Sequence, residues 1–126
     1  MQRTLSAPNG TQWKGEEHMS GWIGVDLDGT LAHYDGWRGS DHIGEPIPAM
    51  LDRVRMWISK GWQVKVFTAR ASVPDQIPPI RKWLDDLGLH MIEITNVKDF
   101  GMVELWDDRC IQVRMNTGMP IISGVA

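Results

Sequence analysis

Short apolar runs alternate with segments of helical periodicity along most of this chain. The apolar runs fall at residues 22–25, 62–67, 92–95 and 103–106, and polar or glycine-containing segments separate them. Runs of four to six apolar or β-branched residues bounded by turn signals are typical of strands in a buried sheet. The pattern predicts four strands, and residues 110–113 are a candidate fifth.

Two longer segments have the spacing of amphipathic helices. Over residues 47–58, apolar side chains recur three or four positions apart, with charged residues between them. Pro48 suits the first turn of this helix and Gly61 suits its end. A second helix is predicted over residues 77–87, followed by Gly88.

Strands and helices alternate in this order, which is typical of an α/β fold with a parallel sheet and right-handed crossovers. We therefore predict a Rossmann-like parallel sheet flanked by helices. A length of 126 residues, 42% of them hydrophobic, is sufficient for one domain with a single core. This domain is expected at residues 21–126, preceded by a polar N-terminal arm at residues 1–20 that is either loose and disordered or added to the fold as a strand.

Composition and charge narrow the choice of partners. The formal net charge of −3 provides no basic surface for nucleic acid. The single cysteine, Cys110, cannot form an internal disulfide and fits a reducing cytoplasm; its place beside a predicted strand favours a small core residue. No apolar run approaches the roughly 18 residues of a membrane span. We expect a cytoplasmic protein without a membrane partner. The sequence is compatible with a monomer and with a homo-oligomer.

Two acids follow the first predicted strand. Asp26 and Asp28 belong to the motif Asp-x-Asp-Gly-Thr, in which the apolar run meets a glycine turn. Alternation along an extended chain places both side chains on the same side. Unpaired carboxylates at the end of a buried strand lose hydration and repel each other, so a cation or a reaction partner is needed to stabilise them. Asp-Gly is also a common sequence in turns, which explains an acid at Asp28 without a functional role but does not explain the acid at Asp26.

Polar side chains also follow the other predicted strands. In chain order, the strand ends carry Asp26 and Asp28; Thr68 with Ala69 and Arg70; Lys98; and Asp107 with Asp108. Open parallel sheets bind ligands at the carboxyl ends of their strands, so we expect these residues to meet. Four carboxylates at one rim favour a hard cation with oxygen ligands, and Mg²⁺ beside a phosphate is the usual case.

Strand ends with Asp-x-Asp, Thr, Lys and Asp-Asp in this order resemble the four motifs of the haloacid dehalogenase superfamily, from about residue 22 to residue 113. Most members of that superfamily are magnesium-dependent phosphohydrolases. The resemblance implies that Asp26 is the nucleophile, which forms an aspartyl-phosphate. Asp28 would protonate the leaving oxygen and later take a proton from water. The dehalogenase branch lacks this second acid, so Asp28 favours phosphate over halide chemistry.

The resemblance assigns the remaining residues around a phosphoryl group and a metal ion. Thr68 would donate a hydrogen bond and Lys98 would neutralise charge. The expected phosphate-binding set is Gly29, Thr30, Thr68, Ala69, Arg70 and Lys98, and the expected Mg²⁺ ligands are Asp26, Asp28, Asp107 and Asp108. Asp108 either holds a metal-bound water or pairs with Arg109, and Arg70 either reaches the substrate or secures its loop. Only nine positions separate Lys98 from Asp107, so the usual helix between these motifs is expected to be reduced to a turn.

Residues 31–48, called the flap below, lie between the first strand and the first helix. They are too rich in glycine for a helix and correspond in place to the flap of the superfamily. They are too few for a cap domain, so the chain resembles the capless members. Trp37 lies on this polar loop and is the tryptophan that we expect to stack on a substrate or partner, whereas most of the others are expected in the core.

These observations predict a magnesium-dependent phosphomonoester hydrolase for a phosphorylated small molecule or nucleotide. A phosphatase for a macromolecular phosphate, such as a nucleic-acid end, is an alternative. A non-catalytic module that binds phosphate and Mg²⁺, or a signalling module, is another. A receiver domain would carry its acidic pair on the first strand and its phosphorylated Asp on the third, which differs from the order found here. A glycosyltransferase also uses Asp-x-Asp, but this chain is short for one.

Overall fold

The structure is a computed structural model in which residues 21–122 are described. In chain order it contains β1 (Trp22–Val25), α1 (Pro48–Ser59), β2 (Gln63–Phe67), α2 (Ile77–Asp86), β3 (Glu93–Thr95) and β4 (Met102–Trp106). Two short 3₁₀ segments, Ala69–Ser72 and Pro74–Gln76, connect β2 to α2. These elements confirm the predicted α/β class of the fold. The arm predicted for residues 1–20 lies outside the described residues.

The four strands form one sheet in the order β3-β2-β1-β4, and every neighbouring pair is parallel. Val25 aligns with Val66 on one side and with Trp106 on the other, so the central strands end at nearly the same level. The chain segments that follow β1, β2 and β4 therefore leave the sheet at one edge. This arrangement brings together side chains that are between 39 positions (Thr68 and Asp107) and 82 positions (Asp26 and Asp108) apart in the sequence, because each follows a different strand.

The main core lies between the sheet and the two helices. Ile23 and Val25 of β1 share one face of the sheet with Val64 and Val66 of β2, because alternate strand residues point to the same side. These four residues form one buried cluster with side chains of both helices, which include Val54, Trp57, Ile80 and Leu84. Burial of this apolar face holds both helices against the sheet.

The connection from β3 to β4 crosses the sheet beside Trp22. The Trp22 indole N–H donates a hydrogen bond to Asp99 Oδ1 at 2.8 Å, and the Trp22 backbone N–H donates to the Gly101 carbonyl at 2.8 Å. The Lys65 ammonium lies 4.6 Å from the centroid of the same indole ring. Residues 96–101 are all described and contain no helix, as the short spacing between Lys98 and Asp107 predicted.

Two predictions about the C-terminal segment are wrong. Residues 110–113 do not form a strand; among them only Val113 makes a β-bridge, which is antiparallel to Pro120 across a local turn. Cys110 is exposed and not a core residue. The chain leaves the sheet after Asp107 and folds back on itself, so this apolar run has no neighbouring strand. No helix in residues 21–122 is long and apolar enough to cross a membrane.

Candidate functional site

A cleft of about 580 Å³ opens where the strands end. Its walls come from the residues after β1, β2 and β4 and from the flap, which is an irregular loop closed at its base by an antiparallel bridge between Ala32 and Pro46. The predicted site residues that line it are Asp26, Asp28, Trp37, Thr68, Ala69, Arg70, Asp107 and Asp108. The structure thus brings most of the residues selected from the sequence to one cavity.

Asp26 lies directly after β1 and belongs to a group of three carboxylates. Its backbone N–H donates to the Trp106 carbonyl at 2.8 Å, which fixes its position beside the end of β4. Asp26, Asp107 and Asp108 each offer an oxygen within 4.8 Å of the others. Burial raises the pKa of Asp26 to about 7, and the negative charges of Asp107 and then Asp108 contribute to the rise. A cation among these acids would oppose this effect by favouring the ionised form.

Gly29 and Thr30 allow Asp108 to approach the end of β1. The Asp108 backbone N–H donates to the Thr30 hydroxyl at 3.0 Å, and this hydroxyl lies 3.1 Å from Asp108 Oδ1 and 3.4 Å from Asp26 Oδ2. Gly29 has a φ of +91°, and a Cβ at this position would lie 2.6 Å from Asp108 Oδ2. The positive φ favours glycine here, and a Cβ would push the Asp108 carboxylate away from its present place.

The turn after β4 orients Asp107. The Arg109 backbone N–H donates to Asp107 Oδ1 at 2.8 Å. Among the described residues, Asp108 makes its contacts with Thr30 and forms no ion pair with Arg109. The pKa of the neighbouring Cys110 thiol is raised, first by the limited burial of this exposed residue's sulfur and then by the charge of Asp107, and both effects disfavour the thiolate.

Asp28 does not join the group of three carboxylates. Its Oδ2 accepts a hydrogen bond from Arg70 Nε at 2.8 Å, and its Oδ1 accepts one from Arg70 Nη2 at 2.9 Å. The prediction that Asp26 and Asp28 point to the same side assumed an extended chain, but β1 ends at Val25. The chain turns after Val25, and the Leu31 N–H donates to the Leu27 carbonyl at 3.0 Å within this turn. The expected group of four acids is thus a group of three plus a separate ion pair.

Thr68 lies at the end of β2 and is buried, with 2% of its surface exposed. Its hydroxyl oxygen accepts a hydrogen bond from the Arg70 backbone N–H at 3.2 Å, which caps the 3₁₀ segment Ala69–Ser72. Within residues 21–122 the hydrogen of this hydroxyl has no acceptor. Thr68 can therefore donate to a ligand in the cleft, as the sequence predicted for a phosphoryl oxygen.

Of the predicted phosphate-binding residues, Gly29 and Thr30 lie beside Asp108 and not in the cleft lining, and Lys98 is not brought to the cleft at all. It is exposed, and it is not among the residues from 21 to 122 that line the cavity. The cationic side chains that do line it are Arg70 and Arg109. Sequence reasoning considered Arg109 only as a partner for Asp108, although its position directly after the Asp-Asp pair at a strand end was a signal for a place in the site.

Comparisons of this chain with models of protein families, with curated proteins and with solved structures found no match. The resemblance to the haloacid dehalogenase superfamily therefore remains a prediction from four motifs and their order.

Proposed function

We propose that this protein is a magnesium-dependent phosphomonoester hydrolase that forms an aspartyl-phosphate on Asp26. The observation that carries the proposal is the position of Asp26, partly buried at the end of the central strand β1 and within 4.8 Å of acid oxygens from Asp107 and Asp108. Thr68 lines the same cleft from the end of β2. A nucleophile, an acidic cation site and a hydroxyl donor around one cavity are the parts that phosphoryl transfer needs.

The three carboxylates fit a hard divalent cation. Mg²⁺ prefers carboxylate oxygens and water, and it commonly binds beside a phosphate. Without a cation, burial and acidic neighbours raise the pKa of Asp26 to about 7, which disfavours the anionic nucleophile. Asp26 and Asp107 would hold the ion, with Asp108 in reach of it directly or through water. When bound, Mg²⁺ neutralises charge on the transferred phosphoryl group.

In the proposed reaction the Asp26 carboxylate attacks phosphorus, so that a bond from Asp26 oxygen to phosphorus forms as the bond to the leaving oxygen breaks. Asp28 gives a proton to that leaving oxygen. A water oxygen then attacks phosphorus and forms a bond to it as the bond from Asp26 oxygen to phosphorus breaks. Asp28 takes a proton from this water, inorganic phosphate departs, and the Asp26 carboxylate is regenerated. Thr68 donates to a phosphoryl oxygen, and the Arg70 and Arg109 side chains, which line the cleft, attract the phosphate dianion.

The ion pair of Asp28 supports a second candidate function. A general acid must present a proton, but both Asp28 oxygens accept hydrogen bonds from Arg70. With Asp28 held in this way, the cleft would bind phosphate and Mg²⁺ without turnover. The second candidate is therefore a non-catalytic module that binds phosphate and magnesium. It would use the same ligands as the enzyme but would keep Asp28 bound to Arg70.

The test is the release of inorganic phosphate from an aryl phosphate with millimolar Mg²⁺. We expect Asp26→Asn to lower turnover by about a thousandfold or more while the circular dichroism spectrum is retained. The matched control is Asp52→Asn, which removes an exposed acid from α1 and should leave turnover unchanged. Activity of Asp26→Asn within about tenfold of the parent would refute the mechanism. Thermal stabilisation by phosphate and Mg²⁺ without any turnover would establish the binding module instead.

The cleft has no cap domain over it within the described part of the chain. We therefore propose phosphorylated small molecules or nucleotides as substrates, with phosphates at the ends of larger molecules as the alternative. A screen of phosphorylated metabolites and nucleotides with Mg²⁺, compared with a 3′- or 5′-phosphorylated oligonucleotide, separates these substrate classes.

A further inference from the structure

We propose that Arg70 is a positioning residue that couples the flap to Asp28, so that the Asp28 carboxyl group is free to turn toward a leaving group only when the flap moves away from the cleft. This inference rests on the proposed function for its catalytic consequence. The coupling itself is a structural property, because Arg70 contacts Asp28 and the flap at the same time.

The first half of the coupling is the ion pair. The Arg70 side chain is 6% exposed and the Asp28 side chain 22% exposed, so solvent screens the pair only weakly. The two hydrogen bonds, at 2.8 and 2.9 Å, use Nε and Nη2 of the guanidinium and engage both carboxylate oxygens. This two-point geometry is the strong form of an arginine–carboxylate contact.

The second half is the contact with the flap. Arg70 Nη2 also donates to the His42 carbonyl at 3.0 Å, and Nη1 donates to the Ser40 carbonyl at 3.3 Å. The guanidinium carbon lies 4.9 Å from the centroid of the Trp37 ring, a cation–π distance. Three flap residues thus hold the guanidinium that holds Asp28.

The donor inventory makes the two halves interdependent. A guanidinium has five N–H donors, and the contacts with Asp28, Ser40 and His42 use four of them. If the flap leaves, Arg70 loses two acceptors and its aromatic contact; if Asp28 leaves, a buried cation loses its counter-ion. Each contact therefore favours the other, and such coupling acts equally in both directions.

The coupling has a direct consequence for proton transfer. While both Asp28 oxygens accept from Arg70, the carboxyl group is held in this orientation and cannot turn toward a leaving group. The Arg70 backbone is held in place, because its N–H donates to the Thr68 hydroxyl at 3.2 Å. Movement of the side chain is thus the route by which Asp28 is released, and the flap carbonyls restrain that movement.

Arg81 provides a matched control. It donates to Asp85 Oδ1 at 3.1 Å and to the carbonyls of Ile92 and Leu89 at 2.6 and 3.0 Å, so it also joins a carboxylate to two backbone oxygens. It lies on α2 and does not line the cleft. Replacement of Arg81 measures what the loss of such an arginine does to the fold alone.

The first measurement is limited trypsin digestion at Arg38, an exposed flap residue, with cleavage after Arg114 in the C-terminal turn as the internal reference. We expect Arg70→Ala and Asp28→Asn each to accelerate cleavage after Arg38 by about tenfold. Asp28→Asn should add little in the Arg70→Ala background, because the coupling is already lost. Arg70→Lys should fail to restore protection, since an ammonium lacks the two-point fork. Arg81→Ala should leave the cleavage ratio unchanged.

The second measurement compares two substrates. An alkyl phosphate has a poor leaving group and needs the general acid, whereas a nitrophenyl phosphate does not. Arg70→Ala should raise the ratio of kcat/KM for the alkyl over the aryl substrate by about threefold or more, even if both rates fall. A purely structural role would lower both rates equally and leave the ratio unchanged, as expected for Arg81→Ala.

The two measurements separate this inference from the proposed function. Unaltered Arg38 cleavage in both Arg70→Ala and Asp28→Asn overturns the inference, whatever the activity. Accelerated cleavage with an unchanged substrate ratio overturns its catalytic part. Absence of turnover in the parent protein refutes the proposed function, and the digestion then still decides whether Arg70 couples Asp28 to the flap.

Discussion

Asp26 and Asp28 are two positions apart in the chain, yet they contact different partners. Asp26 lies among Asp107 and Asp108, and Asp28 is held on both oxygens by Arg70. Their electrostatic surroundings are opposite in sign, since acids raise the pKa of Asp26 while a guanidinium pairs with Asp28. Two carboxylates in opposed environments suit two separate roles, a metal-bound nucleophile and a group that moves a proton.

Magnesium should stabilise the folded protein. A cation that binds the three acids of the native state, and not the unfolded chain, raises the free energy of unfolding by mass action, by about 2.7 kcal/mol at a hundred times its Kd. We expect millimolar Mg²⁺ to raise the Tm by several degrees relative to a chelator, and Asp107→Asn to abolish most of this gain. Asp52→Asn is the control that should keep it. A Tm indifferent to both chelator and Mg²⁺ would contradict the metal site.

Without metal, stability should fall as the pH rises through the range in which Asp26 ionises. The pKa of Asp26 is raised from 3.8 to about 7, so between these values the folded protein holds a proton that the unfolded chain has released. The free energy of unfolding therefore decreases with pH across that window. Asp26→Asn lacks this titration. In chelator, we expect this variant to exceed the parent in stability at pH 8 and to match it more closely near pH 4.

Urea unfolding at the two pH values provides the measurement, with circular dichroism as the probe. Added Mg²⁺ should reduce the difference at pH 8 by stabilising the parent. Parallel pH profiles for Asp26→Asn and the parent would show that Asp26 does not carry the effect.

The Thr68 hydroxyl should matter for turnover more than for folding. Thr68→Val keeps the buried shape but removes the donor, and the loss of one preorganised donor to a developing charge lowers kcat by about a hundredfold or more. The variant also loses the acceptor for the Arg70 N–H, which costs about 1 kcal/mol of stability. Thr68→Ser restores the hydroxyl and should recover most of kcat. An unchanged kcat in Thr68→Val together with a lowered kcat in Thr68→Ser would show that shape, and not the hydroxyl, is required.

Trp37 should affect recognition of the substrate more than the chemical step. Its side chain is 54% exposed, and one face of its ring lies over Arg70, so the remaining surface is available to a planar leaving group. We expect Trp37→Ala to raise KM for the preferred substrate by about tenfold and to change the turnover of a small generic phosphate much less. Trp37→Phe keeps an aromatic face, so its KM for the preferred substrate should lie between those of the parent and of Trp37→Ala. Equal losses for both substrates would exclude a selective role.

The sequence by itself determined the elements of this fold and the order of the polar residues at the strand ends. Helical periodicity over residues 47–58, with Pro48 at its start, corresponds to α1 at Pro48–Ser59. The short spacing before Asp107 correctly predicted that no helix connects β3 to β4. These features depend on local periodicity and on proline and glycine, which a linear pattern contains. The strand predicted from the apolar run at residues 110–113 is wrong, because a strand needs a neighbouring strand to pair with and composition does not reveal whether one is present.

Only the tertiary structure decided which of the strand-end residues touch. Asp28 and Arg70 are 42 positions apart, and their pairing depends on the turn after β1 and on the 3₁₀ segment after β2. The same turn separates Asp28 from the acids at the end of β4. The connection after β3 places Lys98 away from the cleft, whose lining within residues 21–122 does not include it. Contacts of this kind arise where separate elements meet. Strand and helix periodicity places a side chain on a face, but the loops that follow decide which partner it meets.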